Sequence, residues 1–289
     1  VENYTGGYLL EKILLLLLIA CPSFASGLQY GVEFSANSRK PKTADFDSDT
    51  DFMQNGGSQF YYPDYYRAGV TPNNFNPEAH VFAEGKSPLK LGVSAGVSYI
   101  SPVTFNSLGV TAGNASWTRA YSLNAFLFPA ELYLKYRPRG ERVSLSLGGG
   151  ADYVMAKTSV NITGPAGTAS GDFTSSGLMT HLSAGIEVFI FRHVSIGADF
   201  KYLFNGMLEN FKGAMADPRN VHEGSGDSTL MMLPEAGEHE MLVPRLDTDP
   251  ALAGARPMRA DFGGFYGRVA LRIYFGGGLP APTRWRAAK

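Results

Sequence analysis

Gly92-Val93-Ser94-Ala95-Gly96 has the G-x-S-x-G spacing of a nucleophile elbow. That chemistry needs a strand-to-helix turn that strains the serine outward. Here the motif lies inside an alternating, strand-like run, so Ser94 reads as a small residue on a polar face. Asp45, Asp47, Asp49 and Asp51 alternate in a polar stretch and offer hard oxygen ligands for a divalent cation. An EF-hand places Gly sixth and Glu twelfth from its first ligand, where this chain has Thr50 and Gly56. A loose divalent site or a solvated acidic loop are the readings left. His181 and Glu187 share one face of a strand but sit about 20 Å apart along it, too far for joint acid–base work. His222 and His239 lack metal-ligand spacing. Phe60, Tyr61, Tyr62, Tyr65 and Tyr66 form an aromatic cluster suited to a partner surface or to the rim of a membrane interface. No cofactor is expected from these residues.

The charged residues with the clearest pattern lie elsewhere. From Phe265 to Phe275, Phe265, Val269, Leu271, Ile273 and Phe275 alternate with Tyr266, Arg268, Ala270, Arg272 and Tyr274. A period of two with unlike faces is a β-strand. Similar strands begin at Leu28, Leu91, Phe126, Val143, Leu178 and Val194, and each carries polar residues opposite apolar ones. On the polar faces stand the acids Glu33, Glu131, Asp152, Glu187 and Asp199 and the bases Lys135, Arg142, Lys201, Arg268 and Arg272. Five against five is self-neutralising. Facing into a narrow closed sheet, such charges must pair, because an unpaired buried charge costs several kcal/mol (about 3–5 when a partner is removed).

The elements that position them are read in order. Short turns are expected at Glu84–Pro88, Arg137–Gly140 and Arg192-His193. Long loops are expected over 37–76, for about twenty residues from Ser101, over 158–176 and over 205–260. Long and short connections alternate, which gives seven connections and eight strands. The second strand, around Ala79 to Ala83, follows from this count more than from its own pattern. Pro129 forfeits a ladder hydrogen bond, so a bulge is expected there. Met207 to Met215 suggests a short helix.

Composition bounds the class. The chain has 289 residues, 26 acids against 25 bases, and 18% charged residues. Lys12, the apolar run Ile13–Ala20 and Ser23-Phe24-Ala25 make a secretory signal over 1–25, cleaved after Ala25. Leu18-Ile19-Ala20-Cys21 also resembles a lipobox, with Cys21 as the lipidated residue. Cys21 is the one cysteine, so disulfides play no part. Removing Glu2, Glu11 and Lys12 leaves 24 acids and 24 bases, which excludes a basic field for nucleic acid. No run of about 18 apolar residues provides a membrane-spanning helix. A β-barrel escapes that test, since only alternate residues face lipid.

Signal, alternating strands, three short turns and four long loops together resemble the small outer-membrane barrels of the OmpA/OmpX/OmpW type, over about residues 27 to 276. The resemblance implies an all-β fold, an eight-stranded antiparallel up-and-down transmembrane β-barrel with long extracellular loops and a plugged lumen. It implies no enzyme, and a structural role or one exerted through the loops in envelope integrity, adhesion or partner binding. Outer-membrane lipid including lipopolysaccharide, the assembly machinery and an extracellular partner are its implied contacts, and a monomer is expected. The domain runs over 26–276. Gly276-Gly277-Gly278 and a periplasmic tail over 277–289 follow Tyr274-Phe275, where such barrels usually end on an aromatic. A narrow solute channel and a secreted soluble ligand-binding barrel are the alternatives.

Overall fold

The computed structural model describes residues 28–42, 44–46, 66–68, 75–110, 116–138, 141–217, 225–234, 240–246 and 254–275. The signal over 1–25, the tail over 277–289, Asp47, Asp49, Asp51 and Phe60 to Tyr65 lie outside them. Strand β1 is Leu28–Asn37, β2 Tyr66–Ala68, β3 Asn76–Gly85 and β4 Leu89–Val110. Then come β5 Ser116–Tyr136, β6 Val143–Gly164, β7 Gly167–Phe191 and β8 Val194–Phe204. Six short strands follow: β9 Met207–Leu208, β10 Lys212–Ala216, β11 Gly226–Pro234, β12 Glu240–Leu246, β13 Arg256–Pro257 and β14 Ala260–Asp261. The last is β15, Gly264–Phe275.

Eight of these close a ring: β1, β3, β4, β5, β6, β7, β8 and β15, each antiparallel to the next, with β15 between β1 and β8 and with β7 also paired to β8. The three short turns gather at one end, where the Arg137 amide donates to the Pro88 carbonyl and the Tyr274 amide to the His193 carbonyl. The strand expected near Ala79 is present and runs the full length from Asn76.

Polarity within the ring is inverted relative to a soluble sandwich. Phe265 is 84% exposed, Phe200 68%, Leu178 67% and Leu147 66%, while Glu33, Asp199, Lys201 and Arg268 are buried. On β6 the outward apolar residues run from Val143 to Met155. Twelve steps of about 3.3 Å span about 40 Å of strand, or about 28 Å when tilted by about 45°.

Beyond that band the strands continue and their polarity flips. Outward residues of β6 become Lys157, Ser159, Asn161 and Thr163, and inward ones become Val154, Ala156, Val160 and Ile162. The same change occurs on β7, where Ser170 to Ser176 replace leucines outside and Phe173 and Ala169 replace His181 inside. Here the sheet takes a different partner. Above its pairing with β8, β7 pairs with β10, and β11, β12 and β13 follow. They and the turn at 44–46 fill this half with an apolar core that includes Phe46, Phe105, Tyr121, Leu230, Leu242, Met258 and Phe262.

Several expectations are corrected. The stretch over 158–176 is a hairpin turning at Pro165-Ala166, not a long loop. The stretch after Ser101 is strand to Val110 and again from Ser116. Residues 207–216 form β9 and β10 rather than a helix, because Lys212 to Ala216 complete the ladder of β7. Pro129 pairs in register with Asp152. The irregularity falls instead between Ile100 and Val103, around Pro102, which interrupts the ladder between β4 and β5.

Candidate functional site

Alternation forces every second residue of the eight strands into the ring, and an eight-stranded ring is just wide enough for side chains to fill it. What enters is mostly charged. The carboxylates are Glu33, Glu78, Glu84, Glu131, Asp152, Glu187 and Asp199, and the cations Arg39, Lys90, Lys135, Lys201, Arg268 and Arg272.

The groups are stacked along the axis. Near the short turns, Lys135 bridges Glu84 at 2.9 Å and Glu187 at 2.6 Å, Lys90 meets Glu84 at 2.7 Å, and Tyr274 Oη donates to Glu187 at 2.5 Å. Ser144 and Ser195 also donate to Glu187. Among them Phe82, Phe189 and Tyr274 pack together, with the Arg137 guanidinium 3.8 Å from the Phe189 ring centroid.

At mid-height two arginines dominate. Arg268 contacts Glu33 at 2.7 Å, Asp199 at 2.9 Å and Glu78 at 3.1 Å. Arg272 contacts Glu33 at 2.5 Å and Asp199 at 2.8 Å. Register explains the clasp: Arg272 lies opposite Glu33 on β1, and Arg268 opposite Asp199 on β8. His80 shares its ring nitrogen Nε2 between Glu78 and Arg268. Above, Lys201 meets Glu131 at 3.0 Å, and His181 sits between Asp152 at 2.8 Å and Glu131 at 3.5 Å.

Arg39 ties this stack to the apolar half. Its guanidinium meets Asp152 at 3.2 Å, donates to the Phe262 carbonyl at 3.3 Å and lies 5.4 Å from the Tyr266 ring centroid. Among the described interior groups, Glu33, Arg268, Arg272 and their neighbours surround a cavity of about 30 Å³, lined also by Phe82, Ser94, Tyr133 and Ser146. Since one water needs roughly 10–15 Å³ of this kind of volume, it has room for about two.

Nine of the ten charges read from the sequence are placed inside: Glu33, Glu131, Lys135, Asp152, Glu187, Asp199, Lys201, Arg268 and Arg272. Arg142 is the exception. It lies in the bend before β6, half-buried, and its carbonyl accepts from the Phe189 amide. Glu78, His80, Glu84, Lys90 and Arg39 were not among the expected residues. The first three alternate on β3, and Lys90 shares the inward face of β4 with Gly92, so the period of two carried the signal.

Of the four aspartates offered as a loose divalent site, only Asp45 lies among the described residues, and it is held by arginine. Both of its oxygens accept from Arg256 at 2.9 Å, and one also accepts from the Arg259 amide at 2.6 Å. Among the described residues no cluster of three or more ligand-type side chains has metal-binding geometry. Tyr66 begins β2, which pairs with β4.

Outside the apolar band two ion pairs mark the polar rim. Ser159 and Lys157 hydrogen-bond Asp172 and hold its carboxyl below the ordinary range. Burial pushes the Asp261 carboxyl up, but hydrogen bonds from Lys42 and the Gly263 amide outweigh it and hold the group down. Rings gather at the same height: Tyr99 with Phe126 at 4.9 Å, Phe128 with Tyr153 at 6.5 Å, and Tyr202 with Phe204 at 4.7 Å and Phe265 at 4.5 Å.

No family model matches the chain, and no curated protein matches it. Among solved structures the chain is similar to a major outer membrane protein of Thermus thermophilus, at 14% identity and a TM-score of 0.38, over 85% of this chain and 99% of that one. It is similar to OprG of Pseudomonas aeruginosa at 9% identity and a TM-score of 0.36, over 87% and 97%. The outer membrane protease OmpT of Escherichia coli is matched at 10% identity and a TM-score of 0.39, over 86% and 95%. Likenesses this distant carry no argument about the chain, and the functional reading rests on its own geometry.

Proposed function

We propose that the chain is an eight-stranded transmembrane β-barrel of a bacterial outer membrane, with a plugged interior, acting as a structural element or through its extracellular half. One observation carries this reading: the face that meets the surroundings is apolar for about 28 Å of height and becomes polar beyond it, while the interior changes in the opposite sense. A soluble protein would expose those leucines to water at a cost of roughly 1.5–3 kcal/mol each. Burying them in hydrocarbon removes that cost, and the closed ring satisfies the backbone groups that lipid cannot. The aromatic pairs around Tyr99, Tyr153 and Tyr202 sit where interfacial girdles lie.

Outer-membrane lipid, including lipopolysaccharide, then surrounds the band, and the outer-membrane assembly machinery inserts it. The half beyond the band, with its polar outer face of Ser159, Asn161, Thr163, Ser170 and Thr174, is the part available to an extracellular partner. No catalytic role is part of this reading, since His181 and Glu187 each already hold structural partners.

The test is gel mobility of the protein from an outer-membrane fraction, with and without boiling. A closed membrane barrel resists detergent and migrates compactly until heated, so a heat-dependent shift is expected. Recovery in the soluble fraction with no shift would overturn the reading in favour of a secreted protein.

A further inference from the structure

The outward face of the ring carries one interruption. Across neighbouring strands Leu132, Gly149 and Leu182 stand in register, and beside them Leu91, Leu134 and Leu147 form a second row. Gly149 leaves a gap between leucines, and these residues line a groove of about 420 Å³. That volume falls within the roughly 300–1,000 Å³ typical of small-molecule sites. Gly149 lies midway along the outward apolar run of β6, six residues from both Val143 and Met155.

Internal packing does not account for the gap. Gly148, which faces inward, is required, because a Cβ there would strike the Glu131 and Ser183 side chains. Gly150 is required because a Cβ would overlap the backbone of Ala130 and Glu131. A Cβ on Gly149 would come no closer than 3.2 Å to Leu182 Cδ2 and 3.3 Å to the His181 carbonyl. A Cβ at Gly149 thus asks its neighbours to give by only a few tenths of an ångström, far less than at Gly148 or Gly150, and what its absence creates is external.

We propose that this groove is a binding site for one acyl chain of a membrane lipid. The inference rests on the membrane-spanning reading above, which places the groove at mid-depth in hydrocarbon. Its floor, Gly148 and Gly149, has its backbone paired in register with β5 and β7, and its walls are leucines. A ligand here meets hydrocarbon and no directional polar group. A second protein copy fits the walls poorly. Protein interfaces anchor on Trp, Tyr and Arg, with Leu under-represented among hot spots; Tyr133 is the one lining residue of that kind, and its ring turns inward, where its hydroxyl meets Glu84, so it does not project from the rim. A flexible saturated chain fills such a slot through many small dispersion contacts.

The experiment uses the full chain, folded in octyl glucoside micelles and titrated with dimyristoylphosphatidylcholine, with retained lipid counted by native mass spectrometry. Gly149→Leu fills the groove, and Gly149→Ala fills part of it. Wild type is expected to saturate at one retained lipid per chain, with at least about threefold less retained by Gly149→Leu and an intermediate amount by Gly149→Ala. Dimyristoylphosphatidylglycerol is expected to bind within about twofold of the choline lipid, because only the chain is recognised. Equal retention by wild type and Gly149→Leu, with both showing the heat-dependent gel shift, would overturn the site while leaving the barrel intact. A wild-type dimer that Gly149→Leu dissociates would assign the groove to a second copy and overturn the lipid. Loss of the gel shift in wild type itself would remove the membrane reading and this site with it.

Discussion

Arg268 holds three carboxylates, Glu33, Glu78 and Asp199, and among the described residues Glu78 has only His80 as a second ion-pair partner. The pairs are specified more than they are simply stabilising, because desolvating both partners consumes most of the Coulomb gain. Removing one partner is a different matter, since the others stay buried and charged. Arg268→Met is therefore expected to lower unfolding free energy by about 3–5 kcal/mol, read from urea titration of the folded protein in micelles. Arg268→Leu combined with Arg272→Leu strips Asp199 of both its arginines and is expected to abolish the compact, heat-sensitive gel form. Equal yield and stability of that double variant would count against an interior network. The rim pair of Lys157 and Asp172 provides the contrast: at 2.9 Å its geometry is as good, but both side chains are about half exposed. Lys157→Ala is expected to cost no more than about 1 kcal/mol in the same titration. Most of the interior charges were legible because parity on a strand assigns the face directly. Arg142 was misplaced because parity has meaning only while the strand lasts, and β6 begins at Val143.

At the scale of elements, the apolar half depends on segments remote in sequence. Phe46 stacks on Phe105 at 4.6 Å and lies 5.7 Å from Tyr121. It joins the turn at 44–46 to β4 and β5. Phe46→Ala is expected to cost about 3–5 kcal/mol, and hydrogen exchange should rise in β11, β12 and the turn while the β1–β15 ladder stays protected. The same segment is fastened by Lys42 and Asp261, whose backbones exchange hydrogen bonds of 2.6 and 3.3 Å. Because the Asp261 carboxyl is held below its ordinary value, its contribution is full above the unfolded carboxylate range and is lost as pH falls through the lower folded value. Amide exchange at Lys42 and Asp261 should therefore accelerate, relative to the ring, on acidification below about pH 4 and not on raising pH from 5 to 8. The strands of the ring's apolar band were readable from period alone, whereas their extensions were not. In β6 the apolar parity is odd from Val143 to Met155 and even from Val154 to Ile162. Alternation never stops, but the apolar face changes sides, which looks like a loss of pattern. Ser, Thr and Asn on the outer face of β6 and β7 reinforced that impression, since they are also what loops are made of. The short strands over 207–261 could not be found locally, because what orders them is the edge of β7 and the apolar core beneath.

Seen whole, the contents of the ring change along its length: a charged lower and middle part built around the rings of Phe82, Phe189 and Tyr274, and an apolar upper half filled by the chain's own segment. Each layer opposes conduction in its own way. The rings of Phe82, Phe189 and Tyr274 pack together among the lower charges. The charged part leaves a cavity of about 30 Å³, with room for about two waters and too small for a continuous path. The upper half is packed with apolar side chains such as Phe46, Phe105, Leu230 and Met258. An ion crossing would have to separate pairs such as Arg272 with Glu33 at 2.5 Å and Lys135 with Glu187 at 2.6 Å, each of which costs several kcal/mol, about 3–5, when a partner is lost. Planar bilayers carrying the wild-type protein are therefore expected to show no steady conductance above the bare membrane in 1 M KCl, where about 3 Å of Debye length already weakens exposed pairs but not buried ones. Phe82→Ala with Phe189→Ala removes only two of the three clustered rings, and it too should stay silent, because the ion pairs around them still close the interior. Steady single-channel steps from the wild type would show that the interior pairs open together, and would replace the plug by a gated, narrow pore. Steps from this ring variant alone would place the barrier to ion flow in the aromatic cluster and leave the charges as the lining of a path.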